Sequence, residues 1–284
     1  MSASKYARHV IPAPIQTSQR GPPHPSLQFS AAPYGVNVSW IFVPVLEPIV
    51  MHEVPIKHDF TQFLFFLGGD PRNIGELGAE IEVSLGEEGE KHTVKEPSIL
   101  HISPGLVHCP INYKKVEKPP IHLDMYFAPE YIYTEVKSQA AKIPTQGSKY
   151  AKHLIRAPIV TAQQGPPLPV LRFFAAPYGV NATIMVVPVL APRLMEEKPH
   201  KHDFHQFLCF LGTDPLNIGD FDAEIEVWLG EEGEKYTITT PTILSYPPGT
   251  VHNPLNYKRV GKPVFHMDIY FANEYVKIPV TRPA

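Results

Sequence analysis

Residues 199–212 read "PHKHDFHQFLCFLG", and residues 55–68 read "PIKHDFTQFLFFLG". The chain writes one stretch twice, with two histidines added in the later copy: Ile56 corresponds to His200 and Thr61 to His205. Working outward, the same offset of 144 residues relates Lys5–Tyr131 to Lys149–Tyr275 without a gap, and about 80 of those 127 positions are identical. A repeat of this length is far longer than a solenoid unit, so each copy reads as a domain in its own right. The expected domains are residues 1–137 and 138–284. Between the copies, "IYTEVKSQAAKIPTQGS" (132–148) has no counterpart and reads as a linker with room for one short helical turn.

With 284 residues, 43% hydrophobic and 19% charged, the chain has material for real cores. A net charge of −3 lacks the basic footprint of a nucleic-acid binder. No apolar run approaches the ~18 residues of a membrane span, and "MSASKYARHVIPAPIQ" has no apolar signal-peptide core, so the expected compartment is the cytoplasm. The cysteines, Cys109 and Cys209, correspond to Asn253 and Phe65, which argues against a disulfide framework. Homo-oligomerisation is left open.

The local signals are β. "VNATIMVVPVL" and "AEIEVWLG" are rich in β-branched and aromatic residues, and "LGEEGEK" between two such runs reads as a hairpin turn with solvated charges. The 33 prolines, about twice the usual share of ~5%, are spread between short runs as turns and strand edges require. Six to ten short strands per copy predict an all-β sandwich or barrel. The repeated "DPxNIG" reads as a structured loop, and "AAPYGVN" as a Gly/Pro strand approach.

On a strand, His200, His202, Phe204, Gln206 and Leu208 would share one face, with His205 on the other. About 45 residues later, "PPGTVHNPLN" brings His252 after a Pro248–Gly249 turn. Three neutral imidazoles and an oxygen donor suit a divalent transition metal such as Fe, Mn, Ni or Zn. His101, His122 and His266 read instead as satisfied core residues.

The two stretches resemble the motifs of the cupin superfamily, roughly G-x5-H-x-H-x3,4-E-x6-G and G-x5-P-x-G-x2-H-x3-N. His200, His202 and Gln206 at the acidic position fit the first, with Gly212 one residue short of its closing glycine; Pro247, Gly249, His252 and Asn256 fit the second. The opening glycine of the first motif is missing from both copies. Because the resemblance covers both copies, it implies a bicupin: two tandem jelly-roll barrels, with a metal held by His200, His202, Gln206 and His252. Gln206 in place of glutamate leaves the ion's charge uncompensated, which favours an anionic ligand. In the first copy only His58, Gln62 and His108 remain, a weaker candidate site. Phe204, Leu208 and Tyr246 are candidate substrate-pocket walls. The leading functional expectation is a dioxygenase using Fe(II) on a small anionic or aromatic substrate. The alternatives are a lyase or isomerase of a keto or sugar acid, with the ion as a Lewis acid, and a non-catalytic binding protein.

Overall fold

A computed structural model describes residues 4–18, 24–137, 148–162 and 167–282. The chain forms two compact units, Ile15–Ala157 and Pro158–Ala284 with Met1–Pro14. Each is a pair of antiparallel sheets in which sequence neighbours are mostly not sheet neighbours, the jelly-roll arrangement.

In the first unit, a seven-stranded sheet runs in the order Leu154–Arg156, Ser98–Ile102, Gln62–Leu67, Ile121–Tyr126, Ser39–Pro44, Pro25–Ser30, Ile15–Thr17. The second sheet contains Thr134–Glu135, Ile56–Lys57, His108–Val116, Ala79–Leu85 and Glu90–Val94, with Ile49–Met51 also on His108–Val116. Alternate residues of both sheets, among them Leu64, Phe66, Ile81, Val83, Leu100 and Tyr113, form one buried core.

The second unit repeats this plan. Its seven-stranded sheet orders Val10–Pro12, Thr242–Tyr246, Gln206–Gly212, Val264–Tyr270, Thr183–Val189, Pro169–Phe174 and Ile159–Thr161. Its other sheet orders Glu234–Ile238, Ala223–Leu229, His252–Val260, His200–Lys201 and Ile278–Pro279.

The sequence boundary at 137/138 does not coincide with these compact units. Each takes an edge strand from an arm that the repeat assigns to the other copy. Val10–Pro12 pairs with Thr242–Leu244, and Leu154–Arg156 with Ser98–Leu100. The arms also explain the glycine turns. A Cβ on Gly86, at φ +77°, would lie 2.1 Å from the Tyr150 hydroxyl oxygen, and one on Gly230 would lie 2.2 Å from the Tyr6 ring. "GEEGEK" is the expected hairpin turn with solvated charges, and in each copy one of its glutamates also meets the arm. Tyr150 donates to Glu88 at 2.9 Å and Tyr6 to Glu232 at 2.8 Å, joined by Lys149 and Lys5. "AAPYG" forms a single 3-10 turn closed by Gly35 or Gly179 at positive φ. In the expected linker, Thr134–Glu135 is a strand, while 138–147, where a helical turn had room, lies outside the described residues. Cys109 and Cys209 are buried, and neither is in a disulfide.

Candidate metal centre

The parity expectation treats residues 200–208 as one strand, whereas the structure divides them. His200–Lys201 belongs to one sheet and Gln206–Gly212 to the other, with residues 202–205 turning between them. Convergence comes from pairing rather than from a shared face. His200 lies directly opposite His252 in an antiparallel pair, with ring centroids 4.5 Å apart. His202 follows the break and comes within 4.9 Å of the His200 ring and 5.0 Å of the His252 ring.

The three imidazoles are buried, and one ligand nitrogen from each lies within 4.8 Å of the others, the only such group of three among the described residues. Each Nδ1 is committed to a backbone carbonyl: His200 donates to Lys198 at 2.9 Å, His202 to Val276 at 2.6 Å, and His252 to Thr250 at 3.0 Å. These bonds fix the tautomer that puts the lone pair on Nε2, the usual support of a metal-bound histidine; on His200 the Asn253 amide nitrogen lies 3.4 Å from that atom. Burial lowers the pKa of all three, of His202 to about 4, so the rings are neutral and competent as ligands near pH 7.

His202 Nε2, His252 Nε2, Gln206 Oε1 and the Tyr246 hydroxyl are all buried with no hydrogen-bond partner among the described residues. Leaving several buried polar atoms unmet in one place is costly unless something else satisfies them. A cation meets the two nitrogens and the amide oxygen. The amide is held in the required orientation: Gln206 Nε2 donates to Asp268 Oδ1 at 2.9 Å and to the Tyr275 hydroxyl at 3.3 Å, which leaves Oε1 for the ion. The residues fit a divalent metal.

Asp268 and Tyr275 are contributors that the sequence reading missed. The visible signal was an aspartate inside an apolar strand, "FHMDIYF", where a charge needs a reason. Burial pushes the Asp268 carboxyl up to about 7, opposed by the bond from Gln206.

A cavity of about 280 Å³ opens beside the cluster, lined by Gln206, Leu208, His252, Asp268 and Tyr275, with Arg172 and Glu196 adding charge. Leu208 lines it as expected. Phe204 and Tyr246 take another place: Phe204 stacks on His202 at 4.5 Å and Tyr246 on His252 at 4.4 Å, fixing ring planes rather than forming the cavity wall.

No protein-family model and no curated protein sequence matches the chain. Among solved structures, an oxalate decarboxylase of Bacillus subtilis studied for its Mn(II) centres is similar over 96% of this chain and 79% of its own, with TM-score 0.56 and 11% identity. The oxalate decarboxylase of Lactobacillus farciminis, solved as a formate complex, is similar over 99% and 90%, with TM-score 0.55 and 9% identity. The chain has the bicupin fold.

The two copies of this bicupin treat the site differently. In the first, Ile56 occupies the place of His200, opposite His108 in the same register. His58 adopts the opposite tautomer to His202: its Nε2 donates to Gln62 Oε1 at 2.8 Å, and its Nδ1 is buried without a hydrogen-bond partner among the described residues. The amide oxygen that is free in the second copy is therefore already taken in the first. Gln62 is otherwise held alike, donating to Asp124 at 2.7 Å. Ile102 replaces Tyr246, and Gln28 replaces Arg172.

His205 has a separate explanation. Its Nε2 shares a 3.0 Å hydrogen bond with Ser245 Oγ, and its ring stacks on Phe207 at 4.6 Å. In the first copy the strand partners exchange roles: Thr61 stands for His205, His101 stands for Ser245, and the His101 ring stacks on the equivalent Phe63 at 5.2 Å. One imidazole covers the same phenylalanine in both copies, supplied from neighbouring strands. His205 is buried, not outward-facing, and its role is packing. His122 and His266 share 2.9 Å bonds with the Tyr113 and Tyr257 hydroxyls, the core role expected. No helix among the described residues is long and apolar enough to cross a membrane.

Proposed function

We propose that the second copy is a divalent-metal site that catalyses lyase-type cleavage of a small carboxylic acid, and that the first copy is its metal-free companion. The observation that carries this reading is the donor set: three neutral imidazoles and an amide oxygen, all buried, with no carboxylate ligand. A divalent ion held this way keeps its full charge and supplies Lewis-acid stabilisation of the negative charge that develops on a bound carboxylate.

The chain's own residues do the rest. Arg172, aligned across the sheet with Met185 and Asp268, puts a cation on the cavity wall for a second carboxylate or oxo group. A cavity of about 280 Å³ is at the small end for ligand sites, which favours a substrate of a few heavy atoms. The bicupins similar in fold are decarboxylases, one characterised for Mn(II) and another in complex with formate. Their chemistry supports the lyase reading over the dioxygenase expected from the motifs, and Mn(II) over Fe(II).

Oxygen stoichiometry separates the two. With Mn(II)-loaded protein and oxalate or small 2-oxo acids, a lyase releases CO2 without matching O2 uptake. One O2 consumed per turnover would reject the proposal and restore the dioxygenase.

The amide makes a distinct prediction. Gln206→Glu adds a charged ligand, so metal affinity rises while the affinity of the loaded site for a carboxylate probe falls. Calorimetric titration of formate into Zn(II)-loaded wild type and variant measures this. Equal formate affinities would assign Gln206 a purely structural role.

A further inference from the structure

A series of contacts runs from the segment Tyr275–Arg282 to the elements that carry the site. The Tyr275 hydroxyl meets Gln206 Nε2 at 3.3 Å, and the Val276 carbonyl takes the His202 Nδ1 proton at 2.6 Å. Lys277 pairs with Glu196 on the cavity wall. Ile278–Pro279 adds a strand against His200–Lys201, closed by Val280 N to Pro199 O at 3.1 Å. Arg282 then spreads its guanidinium over three backbone carbonyls, those of Gly230 (3.0 Å), Trp228 (3.2 Å) and Asn253, the residue after His252.

The first copy gives the comparison. Thr134–Glu135 pairs with Ile56–Lys57 and Val136 N reaches Pro55 O at 2.8 Å, so the backbone course is the same. Yet His58 Nδ1 makes no hydrogen bond to the Ile132 carbonyl that corresponds to Val276, and Tyr131 approaches the oxygen of Gln62, at 3.4 Å, rather than its nitrogen. The shared strand pairing is therefore structural, and the contacts special to the second copy are those that aim ligands.

We propose that Tyr275–Arg282 is a positioning strap for the metal centre. It sets the tautomer of His202 and holds the start of the strand at Asn253, next to His252, so that strap docking and metal binding strengthen each other. The proposal rests on the metal reading above. Coupling of this kind is reciprocal: if the docked strap raises metal affinity, bound metal must stabilise the docked strap.

The test measures both directions. Amide hydrogen exchange of wild-type protein is followed with and without Zn(II), with the first-copy segment 132–137 and the distal strand Ile159–Thr161 as internal references. In parallel, Zn(II) is titrated calorimetrically into wild type and Arg282→Ala. The expected results are slower exchange in 276–282 on adding Zn(II), with both references unchanged, and about a 10- to 100-fold weaker Zn(II) affinity in Arg282→Ala, the usual effect of removing support behind a ligand. No Zn(II) binding by wild type would remove the metal reading itself. Zn(II) binding with unchanged exchange in 276–282 would overturn the strap alone. Exchange on the wild-type chain decides this even if Arg282→Ala does not fold.

Discussion

Changing His200 to isoleucine leaves the chain without a tightly bound divalent metal. The substitution converts the second copy to the arrangement of the first, where Ile56 sits opposite His108 as His200 sits opposite His252. It removes one of three imidazoles and places an apolar wall against the ion. Partners that merely support a ligand are worth about 10- to 100-fold in affinity, so the loss of a ligand should exceed roughly 100-fold in a calorimetric Zn(II) titration. Folding should survive, because the first copy already accommodates isoleucine at this place fully buried. The reverse change, Ile56→His, does not create an equal site: Gln62 Oε1 stays bonded to His58 Nε2, and His58 Nδ1 still lacks the carbonyl that would turn its lone pair inward. Affinity at an Ile56→His site should remain below that of the native second copy.

Acid destabilises the metal-free protein, because its several buried histidines are held neutral and outweigh the Asp268 carboxyl, whose raised pKa works in the opposite direction over the same window. Burial pushes His266 down to about 3 and His101 down to about 4, and lowers His9 and His153 in the same direction. Below pH 6.5 the unfolded chain takes up protons that the folded chain refuses, so stability is present in full above about 6.5 and is lost as pH falls toward the folded values. For His266 alone, 4% exposed, with its pKa lowered from 6.5 to about 3, the loss over that whole window is on the order of 5 kcal/mol. Thermal melting with chelator, recorded from pH 7.5 to 4.5, should show a steady fall of several degrees. A flat profile would mean that these rings are protonated in the fold.

The gapless repeat and the short β-branched runs made a pair of β domains legible, because the turns between them are marked by glycine and proline, and the resemblance of the histidine motifs supplied the jelly-roll form. The arms were not legible: Val10–Pro12 and Leu154–Arg156 are ordinary short runs, and only tertiary pairing shows which sheet edge receives them. His200, His202 and His252 could be read from spacing, although the geometry behind it was misjudged, since the chain changes sheets between His202 and Gln206. The two added histidines looked alike in sequence and have different origins. His205 is balanced by a serine on the neighbouring strand, a compensation invisible without register. His200 has no such balance and completes the cluster. Asp268 and Tyr275 went unread because both copies contain them, so comparing the copies gave no contrast.

Metal content per chain tests the asymmetry most directly. Wild type, His108→Ala and His252→Ala are loaded with Mn(II), desalted and analysed for bound metal. One equivalent in wild type, one in His108→Ala and none in His252→Ala is the expected result. Two equivalents in wild type, with one lost in each variant, would show that the first copy binds metal despite Ile56 and would contradict the assignment of a single centre to His200, His202 and His252.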